Sequence, residues 1–523
     1  MKKKIIIIIG ILFISISLSC LAYYYHRSLK VDNKRYIQLS AKEKSEDFDY
    51  AYNILKDNFP FFDTEKKMTG FDWLAHKKEF EDEIKQTKND AEFFDKMYEI
   101  FSSVQNAHTY IADPQCYPWL VQIYEGYGDS SAWGNVLNNS KTQEKYKYWT
   151  KLLKNKYEIY YVPIFFRYVE GKYVVYKNSF GIPEGYILRK VNNIDADKYV
   201  KGLIDRRYLY YDYKKNKPYT RNLDITSDKD EDISFTFESS EGKELKRKLK
   251  TQKYTYDPYA NYSEDDVVST KILDKNKTAY IKVTSMENDF EKYYSKMIDF
   301  YKEINDYPNL IIDIRGNGGG ADSFWENNIV SPLISSSLTS KNYILFKNGS
   351  YIKPFLDETI GSGYITSIND RPYFNKFKNK FWGFVCLNNT VSPCDAAGFK
   401  GRIYLLVDEG VYSSAESFAS FAKDTKFASL IGTATGGGMG VNPAVAKLPN
   451  SGLVFNFAIS CGLNSDGSIN EETHTKPDVY AEETYSDFLK SNEWMKTNKS
   501  DDINPYDTVL NETLKIIKAH NKQ

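Results

Sequence analysis

Four short apolar runs, at residues 278–283, 310–314, 403–407 and 430–431, recur between helical stretches in the second half of this 523-residue chain. Runs that are apolar throughout, rather than at every second position, suit strands covered on both faces. Their alternation with helices is the pattern of an α/β layer structure with much parallel pairing. From about residue 267 to 482 the chain is therefore expected to build a mixed, largely parallel sheet core. Upstream the pattern differs. Residues 42–150 read as a helical N-terminal region, with Phe48, Ala51, Tyr52 and Leu55 and then Phe93, Phe94, Met97, Tyr98 and Phe101 at helical spacing, ending near His108. Residues 155–256 read as a small β-rich module, in which 232–237 pairs with 244–249 across the turn 238–242. The stretch 227–232 suits a loop better than a linker. Residues 483–523 form a C-terminal helical extension, with Asn504-Pro505 marking the start of an amphipathic helix over 507–519.

Composition narrows the function classes. A hydrophobic share of 41% and 16% aromatics supply large cores, and a length prior of about 150 residues per domain suggests roughly three domains. Lys+Arg and Asp+Glu both total 70, so there is no basic footprint to neutralise phosphates, and nucleic acid is excluded as an expected partner.

Residues 1–26 read as a targeting segment. Lys2, Lys3 and Lys4 precede the uncharged apolar run 5–22, which is long enough to cross a bilayer with the basic end in the cytoplasm. An uncleaved signal anchor with an extracytoplasmic body is the expected arrangement. The competing ones are lipidation at Cys20, for which Leu18 stands one residue too late, and cleavage with secretion. The remaining cysteines, Cys116, Cys386, Cys394 and Cys461, form no C-x-x-C pair and lie near no histidine cluster, so neither a zinc site nor any other cofactor is implied. Export permits disulfides, with three possible pairings, and free thiols are an equal alternative.

Two segments carry chemistry. In Leu405-Leu406-Val407-Asp408-Glu409-Gly410-Val411-Tyr412-Ser413-Ser414-Ala415-Glu416, a buried strand turns tightly into a helix expected over 417–424. That turn sets a serine at a helix N-terminus, where N–H groups and the dipole favour developing negative charge. In Asn309-Leu310-Ile311-Ile312-Asp313-Ile314-Arg315-Gly316-Asn317-Gly318-Gly319-Gly320 a second strand runs into a glycine-rich turn. No lysine occurs between Gly316 and Thr339, so a P-loop is excluded. A simple strand-ending turn and a cradle of N–H donors for an acyl oxyanion remain open from these residues alone.

These two segments, with Leu430-Ile431-Gly432-Thr433-Ala434-Thr435-Gly436-Gly437, resemble the core of the C-terminal processing (tail-specific) serine peptidases, a superfamily that includes tricorn and also non-enzymatic retinoid-binding repeats. The resemblance implies an extracytoplasmic serine endopeptidase acting on protein or peptide through an acyl-enzyme. A catalytically inactive ligand- or peptide-binding protein on the same scaffold is the alternative. It selects Ser413, three residues before the motif's acidic Glu416, as nucleophile, and Gly318, Gly319 and Ser414 as the oxyanion hole. One branch of the family takes a lysine as base, but the corresponding position is Gly438. The other, tricorn-like branch takes a histidine from a distant N-terminal segment, which the segment Val104-Gln105-Asn106-Ala107-His108-Thr109 resembles, although Asn106 stands where the family often has Asp. Of the five histidines, His26, His76 and His520 lie in unsuitable surroundings and His474 is the rival, so His108 is the expected base. Ile469-Asn470-Glu471-Glu472-Thr473-His474-Thr475-Lys476-Pro477-Asp478 resembles the segment carrying the glutamate that orients the base, which implies Glu471, with Glu472 as its competitor. Finally, 181–194 is similar to the PDZ pattern of a Pro-x-Gly turn before a strand. It implies either peptide binding by strand addition or a purely structural version.

Overall fold

The apolar runs of the second half become the interior of a six-stranded sheet in a computed structural model that describes residues 39–153, 157–256, 267–394, 397–498 and 502–521. Its strands lie in the order Val268–Asp274, Thr278–Val283, Asn309–Asp313, Arg402–Val407, Ser429–Gly432 and Val479–Tyr480. The first pair is antiparallel and every later one parallel. Both faces are covered, which is why the strands read as continuous apolar runs. Leu310, Ile312, Leu405 and Val407 point to one side, against Phe418, Ala419 and Ala422 of the helix Ser414–Thr425. The alternate residues Ile311, Tyr404 and Leu406 point to the other, against Val509, Leu510 and Ile517 of the helix Thr508–His520.

That last helix runs Thr508–His520, within a residue of the expected 507–519, and the Asp507 carboxylate caps it by accepting from the Leu510 N–H at 3.0 Å. The helix after Ser413 starts earlier than expected, at Ser414. A four-stranded antiparallel sheet built from Leu338–Phe346, Gly383–Val391, Thr366–Ser367 and Ser460–Leu463 was not among the elements read from the sequence.

The N-terminal helices from Ala41–Asn58 to Ser140–Leu153 do not close a core of their own. Phe48, Leu55, Phe93, Phe94 and Phe101 share one buried cluster with Phe346, Val445, Phe455 and Phe457 from the far end of the chain. The first helix begins at a capping box, in which Ser40 Oγ accepts from the Glu43 N–H and Glu43 Oε2 from the Ser40 N–H.

The β-rich module forms an eight-stranded sheet around its own core of Val162, Phe166, Leu188, Leu223, Phe235 and Phe237. Its hairpin pairs Asp232–Glu238 with Glu244–Lys250, setting Leu245 opposite Phe237 and Leu249 opposite Ile233. Ile187–Val191, the strand of the PDZ-like segment, lies between Lys172–Val175 and Asp232–Glu238 and so offers no edge to a peptide. The outer strand Glu244–Lys250 carries Lys246, Arg247, Lys248 and Lys250, charges that discourage further strand pairing. Cys116, Cys386, Cys394 and Cys461 are all free thiols. The expected targeting segment, with the run 5–22 and Cys20, lies outside the described residues. Among those described, no helix is long and apolar enough to cross a membrane.

Arg315 fastens the C-terminal helix beneath the sheet. Its guanidinium donates from Nε to Asp313 Oδ1 at 2.9 Å and from Nη2 to Asp313 Oδ2 at 2.6 Å. It also donates from Nη1 and Nη2 to the two oxygens of Asp507 at 2.9 and 2.7 Å. Burial pushes the Asp313 carboxyl up, and Arg315 more than reverses this, leaving it below the usual carboxylate range. Removing the guanidinium strands two carboxylates, one of them fully buried. Arg315→Met is therefore expected to cost about 3–5 kcal/mol, read as a lower urea midpoint at unchanged m-value.

Candidate active site

Ser413 stands where the strand Arg402–Val407 has turned into the helix Ser414–Thr425, with φ 58° and ψ −122°. A serine before a helix ordinarily caps it through its hydroxyl. Here the positive φ turns Oγ away, and the side chain makes no capping bond. The strain is held by backbone bonds on both sides: Tyr412 N–H donates to Asn317 O at 3.0 Å and Ser413 N–H to Gly437 O at 3.1 Å. The hydroxyl instead lies 3.1 Å from Nε2 of His108, a residue 305 positions away. This is the separation that direct proton transfer needs.

His108 is fixed by its neighbours. The two-residue strand Tyr110–Ile111 pairs antiparallel with Val454–Phe457, matching Tyr110 with Asn456. Asn456 Nδ2 then donates to His108 O at 2.8 Å, and Ala458 N–H to Thr109 Oγ1 at 3.2 Å. The imidazole packs 4.9 Å from the Tyr412 ring. Burial lowers its pKa to about 4, so the ring is neutral at pH 7 and free to accept a proton.

Glu471 reaches this loop indirectly. Its Oε1 accepts from Asn106 Nδ2 at 2.6 Å and its Oε2 from the Gly438 N–H at 2.7 Å. Asn106 Oδ1 in turn accepts from the His108 N–H at 3.2 Å and from Thr109 Oγ1 at 2.9 Å. Among the described residues no hydrogen bond joins Glu471 directly to the imidazole. Asn106, where aspartate was the expected residue, supplies the N–H₂ that a second carboxylate could not. Burial raises the Glu471 pKa to about 7, against the lowering effect of the Gly438 and Asn106 donors. Glu472 points elsewhere and pairs with Lys67. His474 is buried and bonded to Thr435 O, with its pKa lowered to about 4 by burial, and it packs against Tyr213 rather than Ser413.

The glycine-rich turn closes over the serine. A Cβ on Gly319 would lie 2.7 Å from Tyr412 O, 2.8 Å from Ser413 Cβ and 2.9 Å from Ser414 N, so the approach requires glycine. The Gly319 N–H is already given to Asn317 Oδ1 at 2.9 Å. The Gly318 and Ser414 N–H groups have no partner among the described residues, and they are the pair left for an oxyanion. Gly438 shows why a lysine base is absent: at φ +86°, a Cβ there would lie 2.5 Å from the Tyr412 ring.

Three further residues hold the site together and were given no structural role from the sequence. Glu416, fully buried on the serine's helix, accepts from Asn470 Nδ2, from the Thr475 N–H and from Thr475 Oγ1, which fixes the turn carrying Glu471. Asp408 accepts from the Gly316 and Gly410 N–H groups at 2.7 and 2.9 Å, joining the glycine-rich turn to the turn that carries Ser413. Arg221 of the β-rich module donates to both Asp408 and Glu409 at 2.8 Å. Only Glu416 and Asp408 lie within motifs that could have drawn attention to them.

The strain at Ser413 has a measurable cost. Glycine adopts its φ freely and alanine does not, so Ser413→Gly is expected to be about 1 kcal/mol or more stabler than Ser413→Ala. The comparison is made by equilibrium denaturation of the two variants.

Residues 277–481 match the family model described as Peptidase family S41, and residues 40–102 match that of the Tricorn protease C1 domain. No curated protein matches the sequence. Among solved structures, mature CPAF complexed with lactacystin is similar at 13% identity and a TM-score of 0.56, over 92% of this chain and 99% of that one. Mature CPAF in a second structure gives 12% and 0.56 over 92% and 98%. The CPAF s499a mutant gives 12% and 0.52 over 89% and 99%. At these identities the likeness to solved structures is one of fold. The match of residues 277–481 to peptidase family S41, together with the Tricorn C1 match upstream, supports a serine-type peptidase built on the fold of the C-terminal processing peptidases.

Proposed function

We propose that this chain is an extracytoplasmic serine endopeptidase that cleaves peptide bonds through an acyl-enzyme, with Ser413 as nucleophile, His108 as base and Glu471 as the group that orients the base. The contact that carries this proposal is the 3.1 Å approach of His108 Nε2 to Ser413 Oγ. With its proton on Nδ1, the imidazole accepts the Ser413 proton as Oγ attacks the scissile carbonyl. The Gly318 and Ser414 N–H groups then face the developing oxyanion, where one donor is typically worth about 2.7–4 kcal/mol. The imidazolium next protonates the leaving amine, and water, deprotonated by the same ring, releases the acyl group.

Glu471 acts through Asn106, which spans from the carboxylate to the backbone of His108. The Tyr412 ring beside the imidazole favours its cationic form. The extracytoplasmic assignment rests on Lys2, Lys3 and Lys4 ahead of the apolar run 5–22. The substrate class is protein or peptide, and membrane attachment is through that same segment.

A fluorophosphonate probe on the detergent-solubilised full chain tests this assignment. Mass spectrometry is expected to place the label on Ser413, with none on Ser413→Ala. His108→Ala should slow labelling by about 10³-fold or more. Labelling of wild type at another residue, or its persistence in Ser413→Ala, would contradict the assignment.

The pH dependence separates the two ionisable groups. Glu471 holds both donors only when ionised, and its pKa is raised to about 7, while that of His108 is lowered to about 4. Activity is therefore expected to fall as pH drops through about 7, well before the imidazole titrates. An acid limb centred near 4 would remove Glu471 from the working site.

A further inference from the structure

A second buried carboxyl lies behind the site. Glu65, on the helix Phe62–Thr69, is 8% exposed. No hydrogen bond or ion pair to its carboxyl occurs among the described residues. It faces a cavity of about 10 Å³ whose lining also includes Glu471, Gln105 and Tyr208. That is about the room one water molecule needs.

No basic side chain lines the cavity, and the nearby cations are committed elsewhere. Lys66 pairs with Asp72, Lys67 with Glu472 and Lys217 with Asp197, while Lys380 pairs with Asp63 on the outer side of the same helix. The Gln105 amide is also spent: its Nε2 donates to Ile204 O and Arg207 O, and its Oε1 accepts from the Leu209 N–H. His474 stands beside Glu471 against Gly437, but burial lowers its pKa to about 4 and leaves it neutral near pH 7; the remaining titratable groups around the pair are acids. Tyr208, Tyr213 and Tyr412 are pushed up first by burial and then by the Glu471 charge, with Glu65 adding to the effect. Tyr210 and Tyr211 line the cavity. Cys461 lies on the strand Ser460–Leu463, and Glu416 is fully buried on the serine's helix.

Two carboxyl residues that line one cavity, with the charge of one acting on the other and no cation between them, do not both ionise near neutrality. Hydrogen bonding decides which one does. Glu471 accepts from two N–H groups, whereas Glu65 accepts from none, so the charge rests on Glu471 and the proton on Glu65.

Building on the role given to Glu471 above, we propose that Glu65 is a positioning residue that bears the proton of the pair and, by hydrogen bonding towards Glu471 across the one-water cavity, keeps Glu471 ionised and gripping Asn106 and Gly438. Burial and the neighbouring Glu471 charge both raise the Glu65 pKa well above the usual carboxylate value, so it stays neutral across the working range. Once Glu65 ionises under alkaline conditions, repulsion between the two carboxylates loosens the Glu471 turn.

The sign for stability follows. The folded state holds the Glu65 proton more tightly than the unfolded chain, so Glu65 favours folding fully only below its unfolded pKa. That advantage is lost as pH rises towards the folded value. Glutamine mimics the neutral acid and has no such loss, so the melting temperature of Glu65→Gln should rise relative to wild type as pH increases.

The test measures fluorophosphonate labelling of Ser413 and thermal melting from pH 5 to 10, on the full chain, for wild type, Glu65→Gln and Glu65→Leu. Glu65→Met replaces the last variant should it fail to fold. Glu65→Gln is expected to label within about threefold of wild type at pH 7 and to lose any alkaline decline. Glu65→Leu, with no hydrogen to offer, should carry its acid limb at least about half a pH unit higher. A merely structural role for Glu65 would lower stability without moving either limb. A labelled wild type whose pH profile all variants reproduce overturns this proposal alone, as does a melting difference that is flat with pH. A wild type that takes no label at any pH overturns the triad assignment and this proposal with it.

Discussion

A two-residue strand decides whether this molecule has an active site. Tyr110–Ile111 pairs with Val454–Phe457, and the residues just before it, Asn106 to Thr109, are thereby laid against the α/β core that carries Ser413. Two backbone ladder pairs alone would be marginal. The pairing persists because Phe93, Phe101, Phe455 and Phe457 bury together in one cluster, each contributing roughly 1.5–3 kcal/mol of burial. The helical region and the last third of the chain thus fold as one unit. His108 is supplied by one and Ser413 by the other.

Within that frame the site is arranged by two buried carboxylates and a half-buried one rather than by direct contact with the imidazole. Glu416 fixes Asn470 and Thr475, Glu471 fixes Asn106 and Gly438, and Asp408 fixes Gly316 and Gly410. Each accepts from N–H groups of a turn that would otherwise be free to move, so the conformation of three loops depends on acids kept in low-dielectric surroundings. The strained backbone of Ser413 is tolerable because these turns and the helix behind it leave it no alternative. Arg221 extends the same network to the β-rich module, making that module a structural support of the nucleophile's turn.

The sheet was legible because parallel strands buried on both faces cannot disguise themselves: 310–314 and 403–407 have no polar face to alternate. The position of Ser413 was legible because a strand, a tight turn and a helix leave a distinctive run of residues. The antiparallel strands Leu338–Phe346 and Gly383–Val391 escaped notice because each is interrupted by a consecutive polar pair, Lys341-Asn342 and Asn388-Asn389, and so resembles loop. The approach of His108 could be inferred only from family resemblance, since nothing local to residue 108 indicates a partner 305 positions away. Glu65 was illegible in principle. Set beside Lys66 and Lys67, it reads as an ordinary solvated helix face, and only the packed structure turns it inward. Asn106 was noted as a departure from the expected aspartate, and its use became clear once Glu471 was seen to occupy the place where a second negative charge would repel.

The central claim is that Ser413 and His108 work as one unit. A double-mutant cycle on peptide hydrolysis tests it most directly, comparing Ser413→Ala, His108→Ala and the combined variant. Residues that share one proton transfer are grossly non-additive, so the double variant should be no slower than the Ser413→Ala variant alone. A double variant slower than either single one by the product of their separate effects would mean that the two side chains act independently, and that their 3.1 Å approach has no part in the chemistry.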